Sequence, residues 1–127
     1  MKSDGEQMIK GIGIDTVFMD RIERASQSTR FIEKCFSAAE IELFKQRGKC
    51  IQFLAGNFAA KEAVAKALGV GFVGFAPKDI EVLRDGAGKP YINLLGNAKK
   101  NAKDEAVFHV SITNTVELAS AVVVIEG

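Results

Sequence analysis

A chain of 127 residues holds one domain rather than two, with enough apolar side chains for a core that needs no metal or disulfide staple. At 47% hydrophobic and 26% charged it is neither a disordered tail nor a membrane span, and no apolar run approaches the roughly 20 residues of a membrane helix. Lys and Arg number 17 against 16 Asp and Glu, a net charge of +1, which excludes a broadly basic nucleic-acid-binding surface.

Met1 to Gln7 is polar and lacks the apolar core of a signal peptide. We expect residues 1–7 to be a disordered extension, residues 8–127 to form the domain, and the protein to be cytoplasmic. Residues 8–17, MIKGIGIDTV, alternate as a strand, with Ile12 and Ile14 on one face and Gly11, Gly13 and Asp15 on the other. From Phe18 to about Ser28 the spacing of Phe18, Ile22 and Ala25 is helical, with Arg21 and Arg24 beside the stripe. Phe31 to Phe36 reads as a short helix. Ser37 followed by Glu40 is a capping box that opens another, stopped by Gly48. Cys50 to Leu68 is the longest helix, with Gly69 as its cap.

Residues 69–78 form a Gly-rich loop closed by Pro77. Asp79 to Arg84 and Pro90 to Leu95 read as a hairpin turning at Asp85-Gly86-Ala87-Gly88. A short polar helix follows, from Asn97 to about Glu105. Val107 to Thr113 and Leu118 to Ile125 are the two clearest strands, joined at Asn114 to Glu117. The fold class is α+β, one domain. Cys35, Cys50 and the single histidine, His109, match no zinc spacing, and the two cysteines read as buried reduced thiols.

Charge is distributed unevenly. Residues 18–50 and 51–78 each carry +2, and residues 106–127 carry −2, so cations gather between Arg21 and Lys66. Within that stretch Glu62 occupies a stripe of the long helix otherwise made of Ile51, Leu54, Phe58, Ala65 and Leu68. A carboxylate there needs a partner or a cation, or else forms an i,i+4 pair with Lys66 on a half-exposed face. Asp15 poses the same choice. It ends a strand whose glycines leave room for a ligand or another chain, or else it caps the following helix. Two such carboxylates suit a hard cation such as Mg²⁺ shared with phosphates, for which Lys61 and Lys66 are candidate ligands.

The segments GIGIDTV (11–17), FLAGNFAAKEAVAKALG (53–69), DGAGKPY (85–91) and HVSITNT (109–115) resemble the holo-acyl-carrier-protein synthases, the short bacterial 4′-phosphopantetheinyl transferases. The resemblance covers residues 8–126. It implies an antiparallel sheet wrapped around one long helix, with Asp15 and Glu62 binding Mg²⁺ and Lys66 on phosphate oxygens. It further implies that Glu62 accepts the proton of a carrier-protein serine. Coenzyme A is the implied co-substrate, its nucleotide lined by Gly69, Gly71, Lys89, Pro90 and Asn114. Asn114 stands where many relatives carry a second histidine, which motivates an alternative, a catalytically impaired coenzyme A or carrier-protein-binding module. The resemblance also implies that Arg21, Arg24 and Arg30 dock an acidic acyl carrier protein, and that three copies assemble with active sites between subunits. Neither nucleic acid nor membrane is an expected partner.

Overall fold

Two glycines on the first strand decide how the fold closes. In the computed structural model, which describes residues 8–69 and 71–127, strand β1 runs over Ile9–Phe18 and packs against the long helix α4, Ile51–Leu68. The expected N-terminal extension lies outside the described residues. A Cβ placed on Gly11 would fall 2.0 Å from the carbonyl oxygen of Ala67, and one on Gly13 would fall 1.9 Å from that of Ala63. Only hydrogen fits between strand and helix at these positions. The room read into the glycine face of the sequence is therefore filled by the helix of the same chain rather than left for a ligand.

Between β1 and α4 lie three short helices: α1 (Met19–Ala25), α2 (Thr29–Cys35) and α3 (Ala38–Gln46). The first starts one residue later than the helical spacing suggests and ends earlier. Phe18 still pairs with Leu118, and the Met19 amide donates to the Glu117 carbonyl at 2.8 Å, so the strand keeps both. Neither Asp15 nor Thr16 caps α1; its cap position is Phe18, which has no side-chain oxygen to offer. Ser28 caps α2, and Ser37 with Glu40 forms the expected capping box on α3.

After α4, capped by Gly69 in the left-handed conformation, come strands β2 (Ile80–Arg84) and β3 (Pro90–Leu94) as a hairpin. Helix α5 (Gly96–Asn101) leads into β4 (Val107–Asn114) and β5 (Leu118–Glu126). The three-stranded antiparallel sheet has the order β1-β5-β4, so β1 and β4 are its two edges. Its inner face meets α4.

Helix α4 is buried on almost every side. Its C-terminal half packs Ala63 and Val64 against Val123 of β5 and Ile80 and Val82 of β2. Its N-terminal half packs Leu54 and Phe53 against Met19, Ile22 and Phe36. Of the stripe picked out by spacing, Leu54 and Ala65 are buried while Ile51, Phe58, Glu62 and Leu68 are only half-buried, and the deepest side is rich in alanine. A helix enclosed by a sheet, a hairpin and three helices has no single apolar face for periodicity to find. The sheet's outer face presents another surface. Ile12 and Ile14 are each 64% exposed, with Phe18 and Val122 also open to solvent.

Candidate active site

Asp15 stands near the end of the edge strand β1, and Glu62 stands on α4 where that strand crosses it. Both line one hollow of about 400 Å³, walled by Phe18, Phe31 and Phe58 and bordered by Arg21. Lys66, one turn beyond Glu62, donates to Asp15 Oδ1 at 2.9 Å and to the carbonyl of Ile14 at 3.0 Å. Asp15 thus pairs with Lys66, and the i,i+4 pair between Glu62 and Lys66 suggested by spacing does not form. Glu62 accepts no hydrogen bond from the described residues. Burial and the facing Asp15 charge push its carboxyl above the ordinary carboxylate range, partly offset by Lys66.

Two carboxylates crowding one hollow, with a lysine ammonium drawn onto one of them, form a site short of positive charge. Oxygen donors of this kind fit Mg²⁺, which takes one or two carboxylates and completes its shell with water and phosphate. Among the described residues there is no group of three or more His, Cys, Asp and Glu that would suit a zinc-type site instead.

Lys61 lies elsewhere. Expected to bind phosphates beside Glu62, it is instead completely buried. Its Nζ donates to Glu40 Oε1 at 2.5 Å, to the Pro77 carbonyl at 3.0 Å and to the Ile80 carbonyl. Glu40, equally buried, also accepts from the Ser37 amide at 3.0 Å, Asn57 Nδ2 at 2.9 Å and the Val82 amide at 3.2 Å. Burial pushes the Lys61 ammonium below its ordinary value and the Glu40 carboxyl above its own. Lys61 is therefore an internal tie between α3, α4 and the start of β2, and its assignment to phosphate is corrected.

The remaining expected ligand-lining residues are scattered in a single chain. Gly69 and Gly71 follow the end of α4, both with positive φ that favours glycine. Lys89 and Pro90 line a second hollow with Tyr91 and His109, beside edge strand β4. Asn114, at the end of that strand, lines a third with Arg47 and Arg84. Those two guanidiniums lie 5.3 and 4.9 Å from the centre of the Phe53 ring, and Arg84 is steadied by Asn57 Oδ1 at 2.8 Å. Sequence reading missed this arginine pair because nothing in residue spacing joins positions 47 and 84. It also missed the aromatic walls of the carboxylate hollow, although Phe58 sits one turn before Glu62. His109 points outward from β4 and meets Glu126 at 2.5 Å, consistent with an ordinary strand histidine. Arg21, Arg24 and Arg30 are all exposed.

The family model described as the 4′-phosphopantetheinyl transferase superfamily matches residues 11–123, and the chain belongs to that family. Its similarity to particular members is extensive. It is 48% identical over 119 residues to a holo-[acyl-carrier-protein] synthase of Lachnoclostridium phytofermentans, covering 92% of this chain and 95% of that one. Identity reaches 49% over 122 residues with the synthase of Clostridium beijerinckii, with 94% and 99% covered. Among solved structures, the holo-(acyl-carrier-protein) synthase of Bacillus anthracis in complex with CoA (3′,5′-ADP) superposes with a TM-score of 0.81 at 36% identity, over 94% of this chain and 98% of that one. The Helicobacter pylori synthase in complex with coenzyme A gives 0.75 at 34%, over 90% and 98%. The α+β architecture expected from sequence is the architecture of these proteins.

Proposed function

We propose that the chain is a holo-[acyl-carrier-protein] synthase. It transfers the 4′-phosphopantetheine arm of coenzyme A to a serine of an apo acyl carrier protein and releases adenosine 3′,5′-bisphosphate, as a cytoplasmic step serving fatty acid biosynthesis. The observation that carries this reading is the shared hollow of Asp15 and Glu62 with Lys66 reaching across it.

In this reading Asp15 and Glu62 are the protein ligands of Mg²⁺. When bound, the ion neutralises pyrophosphate charge in the transition state. Lys66, a flexible ammonium 55% exposed, binds phosphate oxygens. The serine oxygen forms a bond to the phosphorus next to the pantetheine arm. The bond from that phosphorus to the bridging pyrophosphate oxygen breaks, and 3′,5′-ADP leaves. Glu62 takes the serine proton, directly or through one water. Gly69, Gly71, Lys89, Pro90 and Asn114 line the nucleotide, and Arg21, Arg24 and Arg30 meet the acidic carrier.

The same reading includes a homotrimer. Asp15 lies on one edge strand of the sheet, whereas Lys89 and Pro90 lie beside the opposite edge strand and Asn114 at its end, in separate hollows. One ligand reaches both sets when the edges of neighbouring copies meet. The open apolar face of Ile12, Ile14 and Val122 is the surface such copies would cover. By size-exclusion chromatography with light scattering, the wild-type protein runs with the mass of three chains and Ile14→Asp with the mass of one. A monomeric wild type contradicts the trimer.

Release of 3′,5′-ADP, followed by chromatography, tests the transfer itself. It requires coenzyme A and apo carrier, and it stops with a carrier whose acceptor serine is replaced by alanine. Binding of coenzyme A with no release would instead support the impaired module that Asn114 first suggested. The intact carboxylate pair favours the enzyme.

A further inference from the structure

Lys66 does more in this geometry than wait for phosphate. Its ammonium is bonded to Asp15 Oδ1 at 2.9 Å and to the Ile14 carbonyl at 3.0 Å, pinning the end of α4 to the edge strand. The Asp15 side chain is only 17% exposed, while that of Lys66 is 55% exposed. The lysine, on its four-carbon stem, can swing into solvent; the carboxylate, fixed on a paired strand, cannot follow it. A divalent cation reaching Asp15 therefore meets a positive charge already seated on one of the two carboxylate oxygens.

Resting on the metal site proposed above, we propose that Lys66 is an internal counter-ion that occupies Asp15 before the divalent cation does and is handed to the phosphates of the substrate when the cation binds. Two consequences follow from the charges alone. Binding of the cation by itself is weak, because it must displace or tolerate the ammonium. Binding with a phosphate-bearing nucleotide is strong, because the displaced ammonium gains an anionic partner, so the two ligands reinforce each other. Cation and nucleotide thereby arrive as a pair, and a lone cation does not lock the site.

Free Mn²⁺, followed by electron paramagnetic resonance during titration of the full-length protein, tests this without any turnover. Lys66→Gln should bind Mn²⁺ about tenfold more tightly than wild type in the absence of nucleotide, since a neighbouring unit charge has been removed. Lys66→Arg, which keeps the charge, should bind as wild type does. Lys45→Gln, an equal charge loss on α3, should also leave the affinity unchanged. Adding 3′,5′-ADP should tighten Mn²⁺ binding in wild type by a larger factor than in Lys66→Gln. Equal or weaker binding by Lys66→Gln overturns the proposal. So does tighter binding that survives Asp15→Asn in the same chain, and that second outcome also rejects Asp15 as a ligand. Loss of the tight binding in Asp15→Asn with Lys66→Gln supports both.

Discussion

Asp15→Ala and Glu62→Ala each lower phosphopantetheine transfer by about a thousandfold, the scale expected when a charge-stabilising group at a phosphoryl centre is lost. Neither change unfolds the chain. Asp15 is on an edge strand with its backbone pairing to Ala121 intact, and Glu62 holds no hydrogen bond to the described residues that its loss would break. Glu62→Ala also removes a carboxylate that faces Asp15 and is pushed above its ordinary pKa by burial, so the variant melts no lower than wild type in the absence of metal. Circular dichroism melts alongside rate assays separate the two effects. A variant that keeps wild-type rate across a Mg²⁺ titration removes that residue from the metal site.

Lys61→Met produces the largest expected loss of stability. It leaves the buried Glu40 charge with only neutral donors, and breaking one half of such a pair costs about 3–5 kcal/mol. In a domain of this size the melting temperature falls by roughly 10 °C or more. Glu40→Gln in the wild-type background is also destabilising, because it strands Lys61. In the Lys61→Met background the same Glu40→Gln change becomes neutral or favourable, since it removes an uncompensated charge. That change of sign in a double-mutant cycle marks the pair. The pH dependence has a definite direction. Burial already raises the Glu40 carboxyl above its ordinary value beside Lys61, and without Lys61 it rises further. A raised carboxyl binds its proton more tightly folded than unfolded. The Glu40 carboxyl's contribution to the stability of Lys61→Met is therefore fully present below the ordinary carboxylate pKa and is lost as pH rises through the raised folded value. Urea midpoints of Lys61→Met that do not fall relative to wild type with rising pH across that range contradict the assignment.

Sequence and structure part company for identifiable reasons. The strands with clean alternation, β1, β4 and β5, were legible, as were the Ser37–Glu40 capping box and the Gly69 cap, because each is a local signature. Asp15 and Glu62 stood out as carboxylates in positions that ask for a partner. That they face one hollow depends on α4 crossing β1 against Gly11 and Gly13, a contact between residues about fifty positions apart. Lys61 misled for the opposite reason. A lysine next to Glu62 on a helix looks like a solvated neighbour, and only the packing of α3 and β2 around that helix places it in the core. Phe31 and Arg84 escaped notice because their roles arise from tertiary proximity to Phe58 and to Phe53. The near-neutral net charge said nothing of the exposed arginines of α1 and α2, which only the charge count by segment brought out, since a sum over the chain carries no information about which residues share a surface.

The claim on which the rest depends is that this chain moves phosphopantetheine to a carrier serine using the Asp15–Glu62 site and a divalent cation. Intact-mass spectrometry of an apo acyl carrier protein, incubated with coenzyme A, Mg²⁺ and the enzyme, reads this directly. The carrier is expected to gain one phosphopantetheine, chelation of the metal to prevent the gain, and Asp15→Ala to prevent it with metal in excess. An unmodified carrier in the presence of folded enzyme, coenzyme A and Mg²⁺, or a gain unaffected by Asp15→Ala, would contradict that claim.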